Sequence, residues 1–86
     1  MRGRSSENCV RFRGAFALKG VDRTLPAGVY RIVTEEAALD GISFIAYRRV
    51  STSIIVPIGA GSEEIMPIEP DDLDAALERD RLAFPQ

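Results

Sequence analysis

Apolar and charged positions alternate from Val10 onward. Val10, Phe12, Phe16 and Leu18 fall on even positions, while Arg11, Arg13 and Lys19 fall on odd ones. A period of two predicts a half-buried strand over residues 10–18, with one apolar and one cationic face. Gly14 stands on the apolar register, where glycine marks a bulge or a close backbone approach. Residues 20–28 read as a connection closing on Pro26-Ala27-Gly28, since proline pre-sets one turn torsion and glycine accepts positive φ. Residues 29–34 are rich in β-branched and aromatic side chains and predict a second strand. Residues 34–39 predict a single helical turn capped by Thr34 and stopped by the Asp40-Gly41 turn pair.

Two further strands are predicted over residues 42–49 and 52–58. Ile42, Phe44 and Ala46 share one face, and Ser43, Ile45, Tyr47 and Arg49 share the other. Apolar groups on both faces suit a central strand. A glycine-rich loop over residues 59–64 precedes a short last strand at 65–68, where Pro67 lacks a ladder donor and favours a sheet edge. A helix then opens at Pro70. Proline suits the first helical position, and Glu69, Asp71 and Asp72 suit the positive end of the helix dipole. Leu73, Ala76 and Leu77 form a thin apolar stripe, and the helix should fade near Leu82, before Phe84-Pro85. The pattern predicts an α+β, predominantly β domain: a small antiparallel sheet of about five strands with one C-terminal helix. The sheet is expected to be curled or barrel-like, because one short helix cannot cover both its faces. Residues 1–8 offer nothing to pack and are expected as a disordered tail, leaving residues 9–86 as one domain.

Composition narrows the chemistry. The 86 residues are 45% hydrophobic and 28% charged, with no histidine and one cysteine, Cys9. Without histidine there is no Ser-His or Cys-His pair and no imidazole ligand. One cysteine excludes an intrachain disulfide and a multi-cysteine zinc or iron–sulfur site. An unpaired thiol suits a reducing compartment, and no apolar run reaches signal-peptide or membrane-span length, so a cytoplasmic, non-membrane protein is expected.

Charge is divided unevenly. Residues 1–31 carry Arg2, Arg4, Arg11, Arg13, Lys19, Arg23 and Arg31 against Glu7 and Asp22, a net of +5, and the remainder carries −7. Such a split suits a molecule that meets an anion on one side, or one whose halves pair internally. Arg11 and Arg13, on one strand face next to the flexible basic tail with Arg2 and Arg4, are candidate contacts to an anionic partner. Arg48 and Arg49 are the second candidate pair, with Glu35 or Glu36 as their internal alternative. Phe12 and Phe16 sit on the face opposite Arg11 and Arg13, which weakens base stacking. Asp71, Asp72 and Asp74 lack the spacing of a calcium loop and have a sufficient role at the helix start, so no metal or cofactor is expected. Glu35 and Glu36 are adjacent, where an acid and base pair needs opposed positions.

Residues 20–31 (GVDRTLPAGVYR), with Thr34-Glu35-Glu36 and residues 41–49 (GISFIAYRR), resemble a group of short uncharacterised bacterial proteins. The likeness covers about residues 16–58 and implies an independent small bacterial domain, with no activity attached. The reading that follows is a non-catalytic protein-interaction module that self-associates or docks on a larger protein. Its expected edges are the strand from Val10 and the one bearing Pro67, the first being the better pairing surface. The alternatives are an accessory nucleic-acid binder using the basic N-terminal third, and a small enzyme relying on carboxylate and tyrosine chemistry with Tyr30 and Tyr47 as candidate acids.

Overall fold

The computed structural model describes residues 3–40 and 45–85, with side chains over 3–37 and 49–85. Four strands, β1 (Gly3–Phe12), β2 (Gly28–Asp40), β3 (Ile45–Gly59) and β4 (Ser62–Ile68), precede one helix, α1 (Pro70–Ala83). The strands form an antiparallel meander in the order β1-β2-β3-β4. The predominantly β, α+β class with a C-terminal helix is as expected. Among the described residues the sheet has four strands rather than five, and it is open rather than closed into a barrel.

Each departure has a local cause. The two strands expected on either side of Val50 and Ser51 are one continuous strand, β3. Glu35 faces Ser51 and Glu36 faces Arg49, so Val50 is an extra residue in a β-bulge and is 59% exposed. A bulge breaks the period of two without breaking the strand. Residues 34–39 extend β2 instead of forming a helical turn, because β3 pairs along all of them and β1 along residues 34–37 on the other side. An isolated helical turn has no comparable set of backbone partners. Gly41, on which the predicted turn rests, and residues 42–44 of the third predicted strand lie outside the described residues.

Residues 3–8, expected as a disordered tail, form the first part of β1, with Gly3 opposite Ala37 and Asn8 opposite Ile32. Arg4 reinforces the pairing with a 2.8 Å ion pair to Glu36. The strand expected to continue to residue 18 ends at Phe12. Beyond it, Phe16 and Leu18 stay buried while Arg13 and Lys19 stay exposed, in an irregular connection that meets itself at the Phe16–Leu25 bridge. The β3–β4 turn places Ala60 and Gly61 at φ 51° and 82° between Gly59 and Ser62, the signature of a two-residue I′ hairpin.

The core lies on one face of the sheet. Phe12, Tyr30, Ile32, Ile54, Val56, Met66 and Ile68 supply the sheet side, and Leu73 and Ala76 the helix side. The rest of the cover comes from the 13–27 connection, which contributes Phe16, Leu18, Val21 and Leu25. Phe12 and Phe16 stack with ring centroids 3.5 Å apart, and Tyr30 meets Phe16 edge-on at 5.2 Å. This irregular segment does the covering that the sequence pattern had assigned to sheet curvature. Three anchors hold it. The Lys19 N–H donates to Asp72 Oδ2 at 2.7 Å, the Arg13 and Gly14 N–H groups donate to the Asp80 carboxylate, and Arg23 pairs with Glu64 at 2.8 Å. The helix follows its predicted start, with Pro70 in the first turn beside Asp71 and Asp72.

Candidate functional site

The order of strands leaves β1 and β4 at the two margins, as Pro67 suggested for β4. These margins differ in kind. Along β4, Pro67 removes one ladder donor, and the 13–27 connection lies close by: a Cβ on Gly20 would come within 3.0 Å of the Pro67 carbonyl oxygen. Arg23 bridges to Glu64 on the same strand. Among the described residues, the outer side of β1 pairs with no strand. It holds no proline, and every residue from Gly3 to Cys9 is exposed. β1 therefore presents the N–H and C=O groups of its free side to solvent over most of its length.

On the sheet face away from the helix, the register aligns Cys9, Arg31, Ile55 and Ile65 in one row across all four strands. Arg31 pairs with Glu63, and that hydrogen bond raises the Arg31 pKa further. Glu7 and Arg11 flank Cys9 on the same face of β1. Among the described residues, neither Glu7 nor Arg11 has an ion-pair partner.

The four candidate arginines do not converge. Arg11 and Arg13 line one groove of about 490 Å³ between the end of β1 and the last turns of α1, with Leu77, Asp80, Arg81 and Phe84. Much of its charge is engaged internally. Arg13 donates through Nη1 to the Phe84 carbonyl at 2.7 Å, Asp80 holds the Arg13 and Gly14 backbone, and Arg81 pairs with Glu78. Arg49 lies elsewhere, in a cleft of about 220 Å³ with Asn8, Thr34, Thr52, Leu73 and Asp74. There Thr52 is 5% exposed and its hydroxyl has no hydrogen-bond partner among the described residues. The Arg48 and Tyr47 side chains lie outside the described residues. Glu36, expected opposite an arginine of β3, does face Arg49 in register but accepts its hydrogen bond from Arg4.

Sequence reading missed two contributors. Phe84 is 44% exposed beside Arg11 and Arg13, and its position just past the helix was the available signal. Residues 3–8 of the free edge carry no apolar period at all, so only pairing with β2 reveals them. The charge division is largely resolved inside the fold, since Arg4–Glu36, Arg23–Glu64 and Arg31–Glu63 each join the basic third to the acidic remainder. Phe12, Phe16 and Tyr30 are buried, so none of the three offers a ring to a nucleic-acid base. Tyr30 donates its hydroxyl to the Pro26 carbonyl at 2.6 Å, and burial pushes its phenol above the ordinary value. Among the described residues, no group of three or more acidic or cysteine side chains is placed to hold a metal ion, and no helix is long and apolar enough to cross a membrane. No protein-family model matches the chain, and no curated protein or solved structure matches it either.

Proposed function

We propose that this chain is a non-catalytic protein-interaction module that accepts an extended strand of another chain on the outer side of β1. The observation that carries the reading is the contrast between the two margins of the sheet. β4 carries Pro67 within its seven residues and is accompanied by the 13–27 connection, whereas β1 is a ten-residue strand without proline whose outer side pairs with no strand among the described residues. Strand addition draws affinity from main-chain hydrogen bonds, so it needs neither a deep pocket nor a catalytic group. The lone cysteine and the likeness of residues 16–58 to short bacterial proteins support a bacterial, cytoplasmic setting for such a module.

The test uses proline at two adjacent positions, Asn8→Pro and Cys9→Pro. Amides alternate sides along a strand, so one variant removes a donor from the free side and the other disrupts pairing with β2. Melting curves tell them apart. A tagged chain, co-expressed with an untagged copy and recovered from nuclease-treated lysate, is expected to retain a stoichiometric protein partner. The proline variant that keeps wild-type stability is expected to lose it. Recovery that collapses on nuclease treatment, or that the edge proline leaves intact, overturns the reading; the first result would promote Arg11, Arg13 and Phe84 to a nucleic-acid surface.

A further inference from the structure

We infer that the strand accepted by β1 is β1 of a second copy, antiparallel, with the two-fold axis passing through Cys9. The inference rests on the strand-addition reading and specifies its partner and register. If two copies of β1 pair about an axis perpendicular to the sheet, each residue faces one of the same parity, and both helices lie on the same side of one continuous sheet. Each such register is defined by the residue that faces its own copy, and the registers centred on the middle of β1 differ in which charges they oppose. With Glu7 at the axis, two carboxylates meet and Arg11 faces Gly3. With Asn8 there, Glu7 faces Cys9 and Arg11 faces Ser5, so neither meets an opposite charge across the seam. With Val10 there, Glu7 faces Arg13, which lies past the end of β1 with its N–H held by Asp80.

Cys9 at the axis gives a different result. Glu7 then faces Arg11 of the second copy, and Arg11 faces its Glu7, so two opposite-charge cross-strand pairs form symmetrically. Ser6 faces Phe12 and Asn8 faces Val10, which keeps the whole paired segment within β1. Neither Glu7 nor Arg11 belongs to an ion pair among the described residues; Glu7 feels only the longer-range attraction of Arg31, and this register sets an opposite charge directly across from each. Arg4, the remaining charge of β1, already holds Glu36.

The chain supplies its own probe, since Cys9 is the only cysteine and is exposed. Residues directly opposite in antiparallel strands have Cα atoms about 4.5–5.5 Å apart, within disulfide range. Treated with copper phenanthroline as oxidant, wild-type chain at associating concentration is expected to cross-link through Cys9. The Ser5→Cys/Cys9→Ser variant is expected not to, because this register sets its two thiols about 27 Å apart along the strands. Sedimentation equilibrium supplies the second arm. Glu7→Arg and Arg11→Glu, each placing like charges opposite one another, should each weaken the dimer about tenfold, and the Glu7→Arg/Arg11→Glu double variant should restore it.

Equal cross-linking from positions 5 and 9, or a double variant no tighter than the singles, overturns the register. A chain that stays monomeric yet captures another protein through an edge sensitive to proline overturns self-pairing while the strand-addition reading stands. Association that is indifferent to proline in β1 overturns both.

Discussion

At the scale of single residues, Tyr30 joins two jobs. Its ring closes the aromatic cluster against Phe16, and its hydroxyl ties β2 to the Pro26 carbonyl of the preceding connection. Removing that hydroxyl by Tyr30→Phe should cost about 1 kcal/mol at neutral pH, as read by urea unfolding. The same burial has a signature in alkali. The folded phenol titrates above its ordinary 10.0, so below pH 10 both folded and unfolded chains hold the proton and Tyr30 adds no slope. Above pH 10 the unfolded chain releases it first, and stability falls until the folded phenol also titrates. The variant should therefore start less stable and lose stability less steeply as pH rises above 10. Residue-level reading of the sequence served the interior well. Phe12, Phe16 and Leu18 are buried as their alternation requires, even though only the first stands in a strand. It served the arginines less well. Arg11 and Arg13 share a groove because they are two apart in sequence, while the place of Arg49 depends on which strands become neighbours.

The secondary-structure elements show why some boundaries were legible and others were not. Pro70 followed by acidic residues marks the start of α1, because helix ends have their own chemistry. Pro67 marks an edge strand for a similar reason. Val50 and Ser51 carry no turn chemistry; their apparent break in period is a bulge, which only the register against Glu35 and Glu36 distinguishes from a strand end. Residues 3–8 have no buried face, so the energy that orders them lies in the ladder to β2 and in Arg4–Glu36, neither of which leaves a hydrophobic pattern. The β3–β4 hairpin offers an element-level test. Ala60 occupies the left-handed region at φ 51°, where its Cβ is disfavoured, and Asn-Gly is the preferred pair for such a turn. Ala60→Asn is expected to stabilise the fold by about 0.5–1 kcal/mol, read as a higher urea midpoint with unchanged slope.

For the molecule as a whole, elongation and one-sided packing go together. The radius of gyration is 15.2 Å, against about 12 Å expected for a compact chain of this length. The principal-axis extents of 47 × 33 × 21 Å describe a long, flat body. Among the described residues the core lies on one face of the sheet, under a cover that is largely irregular backbone. That segment has a consequence for proteolysis. Lys19 and Arg23 are exposed tryptic sites in a stretch with neither helix nor strand, the ordinary description of a loop that a protease cuts first. Yet its neighbours Leu18, Val21 and Leu25 belong to the core, so fitting the stretch into a protease would require pulling the interior apart. Cleavage at both sites should track global unfolding, slow in native buffer and accelerated in step with lost stability by Leu25→Ala. To trypsin, the least regular part of this protein should behave as one of its most protected.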